Sequence, residues 1–271
     1  MQSNTKNQND VGTPRVPVLD EQMCQLMPTT PARARLLLKQ GKASAYHNKL
    51  GIFCIILHEE KEPNNQPLVL GIDPGSKFEG WSVVGTKYTV LNGMSEAPTW
   101  VKGNVKTRKE MRRGRRFRNC PRRPCRSANR ARSELPPSTK SRWQAKLGIA
   151  KQLRKIMPIG TVVIEDVKAE TRKNAKRWNT NFSPLEVGKK WFYAELRNLG
   201  LALMTENGYK TKALRDEYNL HKCKQKDKTV FYSHAVDAWC LAASQTGAER
   251  PSWRGLYYWT PIQLHRRRLH A

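Results

Sequence analysis

Val69-Leu70-Gly71-Ile72-Asp73-Pro74-Gly75 is the stretch on which the fold turns. From Leu68 to Ile72 the run is apolar without a break, as in a central strand buried on both faces, and Asp-Pro-Gly closes it with a turn. A carboxylate at that point stands at the C-terminal mouth of a strand, where ligands gather in α/β sheets. Gly75 leaves room for a phosphate or a metal to approach the backbone. By itself Asp73 also suits a plain turn former, its side chain bonding the backbone two residues on.

Working outward, Glu79 to Val84 and Tyr88 to Leu91 continue a β-meander. A second apolar run, Thr161-Val162-Val163-Ile164, ends in Glu165-Asp166. Alternation puts Val163 and Glu165 on one face and Ile164 and Asp166 on the other, so only one of the two acids can join a cluster. The third acidic spot, Ser233-His234-Ala235-Val236-Asp237-Ala238, reads as the start of a helix running to about Ser244. His234 and Asp237 share a face there, and a helix N-terminus favours negative charge. Acids from two strand ends and one helix can converge on a cation pair ~3.5–4 Å apart, the arrangement that hydrolyses phosphodiesters. Hard Mg²⁺, or Mn²⁺ in its place, needs such oxygen ligands.

Charge points the same way. The 271 residues carry 50 Lys and Arg against 22 Asp and Glu, a formal charge of +28. Self-repulsion on that scale calls for a polyanionic partner, and nucleic acid is the obvious one. Between Lys102 and Arg132 there are fourteen Lys or Arg and one acid, Glu110. Arg108, Arg112, Arg113, Arg115, Arg116, Arg118, Arg122 and Arg123 form a guanidinium array with no apolar stripe to bury it. Arrays of this kind suit phosphate backbones lying on either side of a helix. No apolar run approaches the ~18–20 residues of a spanning helix, so no membrane partner is expected.

The remaining residues suggest the following organisation. Met1 to Arg15 is a polar leader without a signal-peptide core. Val16 to Gln66 forms a first unit, with a strand at Val16–Leu19, a helix at Ala32–Gln40 capped by Thr30-Pro31 and stopped by Gly41, and a strand at Leu50–Leu57. Residues 67–101 hold the meander and 102–137 the basic helix. Residues 138–250 hold a helix capped by Ser138, the second apolar strand, a helix near Leu185–Leu199, a strand near Tyr209–Leu214, a basic link from His221 to Lys228 and the acidic helix. Residues 251–271 are a basic aromatic tail. Six scattered Cys fit a reducing compartment. Cys120-x4-Cys125 with His221-x-Cys223 is too loose a spacing for a zinc framework.

Taken in order, Val69 to Lys77, the arginine run, Val163 to Asp166 and Ser233 to Ala238 resemble the split RuvC motifs and bridge helix of the IscB/IsrB family of transposon-encoded RNA-guided nucleases. Gln25 to Arg35 with Gly41-Lys42-Ala43 resembles that family's PLMP unit, Gln25 standing where the family has Pro, and the basic run resembles its RRXRR region. The resemblance implies an α/β, RNase H-like mixed sheet flanked by helices, with a PLMP-like unit and an arginine-rich bridge helix. It implies that Asp73, Glu165 and Asp237 hold Mg²⁺ beside His234. The implied partners are a structured guide RNA and target DNA, bound by a monomer in a prokaryotic cytoplasm or in an organelle with a bacterial-type genome. Only Val167 to Ser233 separates the second and third motifs, too little for an HNH nuclease, so the implied activity is nicking of the displaced strand in the manner of the IsrB branch. The family continues beyond a segment like Leu264-His265-Arg266-Arg267, whereas this sequence stops at Ala271. Two rivals stand beside this reading: a RuvC-like nuclease or transposon accessory factor that needs no guide, and a remnant that binds RNA and cuts nothing.

Overall fold

The protein is described from a computed structural model covering residues 14–59, 65–121, 135–169, 183–223, 231–253 and 255–262. Most of the expected leader, Arg122, Arg123, Cys125, most of the basic stretch Lys168–Arg177 and the arginines at 266–268 lie outside these residues.

Four strands near the N-terminus, β1 (Val16–Leu19), β2 (Gln25–Thr29), β3 (Ala43–His47) and β4 (Phe53–Leu57), make a sheet in the order β2-β1-β4-β3. Helix α1 (Pro31–Lys39) begins as the sequence predicts: the Thr30 hydroxyl accepts from the Arg33 N–H, and Pro31 occupies the first turn. The sequence reading does not anticipate β2 and β3. Both are edge strands, which tolerate the proline of β2 and the polar, exposed run of β3. The strand expected from Leu50 starts only at Phe53, because Gly51 takes a φ of 72° in the preceding turn.

The second sheet contains β5 (Leu68–Asp73), β6 (Phe78–Val84), β7 (Thr89–Glu96), β8 (Ile159–Glu165), β9 (Ala202–Glu206) and β10 (Leu256–Trp259), ordered β10-β7-β6-β5-β8-β9. β5, β6 and β7 form the antiparallel meander, and β8 and β9 add in parallel beyond β5. This is the RNase H-like mixed sheet. β10 pairs in parallel with β7, so part of the aromatic tail is an edge strand.

The helices are α2 (Trp100–Phe117), α3 (Pro137–Ile156), α4 (Pro184–Asn198), α5 (Gly208–Glu217) and α6 (Phe231–Thr246). Period-2 alternation sorts them. Leu68, Leu70 and Ile72, Trp81 and Val83, and Val162 and Ile164 meet Trp143, Leu147 and Leu153 of α3 and Phe192 and Leu196 of α4. Val69, Val84 and Val163 meet Val236, Trp239, Cys240 and Ala243 of α6 on the opposite face. α6 lies unusually close to the sheet. A Cβ on Gly71 would stand 1.8 Å from the Ala238 carbonyl oxygen, and one on Gly80 would stand 1.8 Å from that of His234. Two strand glycines therefore seat the helix and set the height of Asp237.

A buried ion pair between Lys146 of α3 and Glu79 of β6 pins the other face, and Ser95 donates to the second Glu79 oxygen. Burying such a pair is tolerable because each charge finds its partner and the Glu79 carboxylate a further hydrogen bond. The first sheet divides by the same alternation. Leu19, Ile52 and Cys54 join the main core, whereas Val18, Ile55 and Leu57 pack around α1.

Three expectations are corrected. Tyr209–Leu214 is helical, not a strand: Leu203 lies in β9, Asn207 then caps α5 by accepting from the Lys210 N–H, and the helix continues to Glu217. Ser138 does not cap α3, which starts at Pro137 with Pro136 at its cap position. α6 starts at Phe231, so Asp237 lies beyond the first turn, where the end charge of a helix fades. Among the described residues no helix is long and apolar enough to cross a membrane.

Candidate active site

Alternation along β5 places Val69, Gly71 and Asp73 on the α6 side, and along β8 it places Val163 and Glu165 there. The parallel register pairs Ile72 with Ile164, so Asp73 and Glu165 come next, side by side at the same end of the sheet. α6 crosses above them and lowers Asp237 toward Asp73. The structure thus gathers Asp73, Glu165 and Asp237 from three distant segments.

Two cations hold the group. Lys222 Nζ reaches Asp73 Oδ2 at 3.3 Å and also contacts Asp237 Oδ2. Arg215 Nη1 donates to Asp237 Oδ1 at 2.6 Å. Both Asp237 oxygens are therefore engaged, although helix geometry does nothing to stabilise that charge. Glu165 is held differently. Gly208, at the start of α5, passes so close that a Cβ there would stand 2.9 Å from Glu165 Oε1, and Thr211 hydrogen-bonds the carboxylate.

The electrostatics record the crowding. Burial, then repulsion from Asp73 and Asp237, raises the Glu165 carboxyl to about 7. Burial also raises Asp73, with Lys222 opposing it and Asp237 reinforcing it. His234 is nearly buried, its ring tilted against Phe78 at 5.0 Å, and its charge would favour ionised Asp73. Asp73 and Glu165, which resist losing their protons, and Asp237 beside them, with an ammonium drawn between the two aspartates, form a donor set that a divalent cation fits. As the side chains lie, no group of three or more His, Cys, Asp or Glu among the described residues is assembled to hold a metal. Lys222 stands where the carboxylates would otherwise have to close on an ion.

Asp166 faces the other way, as alternation requires. It pairs with Lys189 at 2.8 Å and accepts from the Tyr193 hydroxyl at 3.1 Å. This network borders a cavity of about 440 Å³ among α2, α3 and α4, lined by Ser76, Arg142, Trp143 and Tyr193 and reaching Glu165.

Of the arginine array, Arg108, Arg112, Arg113 and Arg116 lie exposed along α2, and Arg118 follows as its cap. Arg115 is half-buried and donates to the Pro121 carbonyl at 2.9 Å. Val101 is the one buried residue of that helix, so the array stands off the core. The helix ends at Phe117, and residues 122–134 of the expected 102–137 segment lie outside the described residues.

Sequence reasoning missed Lys222 and Arg215. Lys222 lay inside a stretch read only as a basic link, and Arg215 just beyond a supposed strand. A helical reading of Gly208–Glu217 would have offered the signal, since it turns Thr211 and Arg215 to one face.

Comparison with curated proteins finds no match. Among solved structures the chain is similar to Thermus thermophilus RuvC in complex with Holliday junction substrate, at 13% identity over 67% of this chain and 97% of that one, with a TM-score of 0.37. It is also similar to a CRISPR-Cas12f ternary complex, at 14% identity over 79% of this chain and 49% of the other, with a TM-score of 0.36. A family model described as RRXRR protein matches residues 16–181, which span both strand-end acids and the whole arginine helix. That match covers more than half of the chain, which therefore belongs to the RRXRR protein family.

Proposed function

We propose that the chain is a metal-dependent RuvC-like endonuclease that nicks the displaced strand of a DNA duplex paired to a bound guide RNA. The observation that carries the reading is the convergence of Asp73, Glu165 and Asp237 at one end of the sheet, with Asp73 and Asp237 sharing a single cation. Asp73, Glu165 and Asp237 would hold Mg²⁺, or Mn²⁺ in its place. When bound, such ions supply Lewis acidity toward a phosphodiester. His234, one turn before Asp237 and electrostatically linked to Asp73, would accept or return a proton at the attacking water.

α2 supports the nucleic-acid part of the reading. Its exposed guanidiniums can grip two backbones without reading sequence, while base pairing selects the target. The described part of the interval between the second and third motifs is occupied by α4, β9 and α5, which is consistent with a nickase of the IsrB type.

The test is direct. The full chain, loaded with a structured RNA transcribed from beside its gene, should nick one strand of matched plasmid in Mg²⁺. Asp73→Ala and Asp237→Ala should each reduce nicking by at least ~10³-fold. Nicking that survives both changes refutes the site. RNA-free cutting of branched DNA would replace the guided reading, and tight RNA binding with no Mg²⁺-dependent nicking would leave a non-catalytic RNA binder.

A further inference from the structure

We propose that Lys222 is a built-in counter-cation. It holds Asp73 and Asp237 together while no divalent ion is bound, is expelled when one binds, and then offers its ammonium to a phosphate of the bound strand. This rests on the reading that these carboxylates take a metal.

The geometry makes the two states exclusive. Lys222 occupies Asp73 Oδ2 and Asp237 Oδ2, and Arg215 occupies Asp237 Oδ1. An ion bound to both aspartates must displace an existing partner, and the two candidates differ in freedom. Arg215 sits within α5, whose Thr211 is buried against the cluster, and its guanidinium has one short, well-aligned bond. Lys222 follows the helix, beyond Asn219 at a φ of 52°, and its side chain is 29% exposed. Its neighbours are fixed: the Cys223 N–H donates to Ser233 Oγ at 2.7 Å, and Tyr218 packs edge-on against Trp239 at 5.0 Å. The backbone on either side is thus anchored while the four-carbon stem remains able to change rotamer. Lys222 leaves by swinging, without any refolding of the segment.

The role follows from charge. Three crowded carboxylates repel one another, and a lysine between two of them keeps the site assembled before the ion arrives. Lysine suits this better than arginine, because a single-point ammonium makes no bidentate clamp and is readily rehydrated. Once expelled, it adds a positive charge at the site mouth only when the site is loaded. Strand binding is thereby coupled to metal occupancy.

The test needs no variant. The full chain is treated with an amine-acylating reagent, in chelator and in saturating Mn²⁺, and lysine modification is read by mass spectrometry. Lys222 should become more reactive by about tenfold in Mn²⁺, as a paired ammonium is released to water, while exposed Lys102 and Lys106 stay unchanged. Equal reactivity in both conditions, with normal Mn²⁺ binding, overturns the proposal.

Lys222→Met and Lys222→Gln extend the test. Each should bind Mn²⁺ about tenfold more tightly by calorimetry and melt at lower temperature in chelator. In Ca²⁺, each should lower the salt slope of single-strand binding by about 0.7, the loss of one phosphate contact. Folded variants with unchanged Mn²⁺ affinity overturn the expulsion, and an unchanged slope overturns the phosphate contact. The metal reading fails separately, if Asp73→Asn binds Mn²⁺ as tightly as the parent chain or the parent does not bind it.

Discussion

Asp237 gives one oxygen to Arg215 and the other to Lys222, while Glu165 beside it has a hydroxyl and a helix start for company. The asymmetry has a consequence in pH. Burial, with repulsion from two aspartates, raises Glu165 to about 7, so the metal-free folded state holds this proton more tightly than the unfolded chain does. The stabilising effect is complete below the ordinary carboxylate range and is lost as pH rises through about 7. Melting in chelator should therefore fall between about pH 5 and pH 8, and Glu165→Gln should flatten that fall. A parent profile that climbs over the same interval would contradict the crowding. Gly71 gives a second residue-scale prediction. Gly71→Ala drives a methyl into the Ala238 carbonyl, so α6 must lift, and urea unfolding should show a loss of at least about 1–3 kcal/mol.

At the scale of elements, α2 and α6 are opposites made from the same kind of helix. α6 packs four alanines and Trp239 against a sheet with glycines beneath it, and carries Asp237 into the cluster. α2 buries Val101 and turns its arginines to water. Removing charge from α2 should therefore leave folding intact and weaken nucleic-acid binding. Arg112→Ala with Arg116→Ala, two guanidiniums on one face, should lower the salt slope of RNA binding by roughly 1.4–1.8 in filter-binding titrations, with melting unchanged within about 0.5 kcal/mol of stability. A large drop in melting temperature would mean that the array is structural.

Over the whole molecule, the first sheet is bolted to the second rather than tethered to it. Leu19, Ile52 and Cys54 lie in the main core, and the Trp259 indole of β10 donates to the Leu50 carbonyl at 3.0 Å. Trp259 also packs against Gly93, where a Cβ would come within 2.6 Å of its ring. Trp259→Ala should cost about 3–5 kcal/mol by denaturant unfolding and should loosen both sheets in a single transition. Two separated transitions would show instead that the sheets fold independently. The formal charge of +28 acts at the same scale, since a polyanion that binds only the folded state should raise its melting temperature.

The sequence alone determined the meander, both apolar strands and which face each strand-end acid takes. Those features depend on period-2 burial and on turn chemistry carried by adjacent residues. It also located the guanidinium array, because charge density is a local property. It misread α5, where Asn207 is a cap visible only once β9 is known to end at Glu206, and it passed over the edge strands β2 and β3, whose pairing partners supply what their sequences lack. Tertiary structure alone decided that Lys222 and Arg215 stand among the carboxylates. Lys222 reads as part of an ordinary basic link and Arg215 as a residue past a strand until α6 is seated on Gly71 and Gly80, and only that close approach brings Asp237 down to meet them.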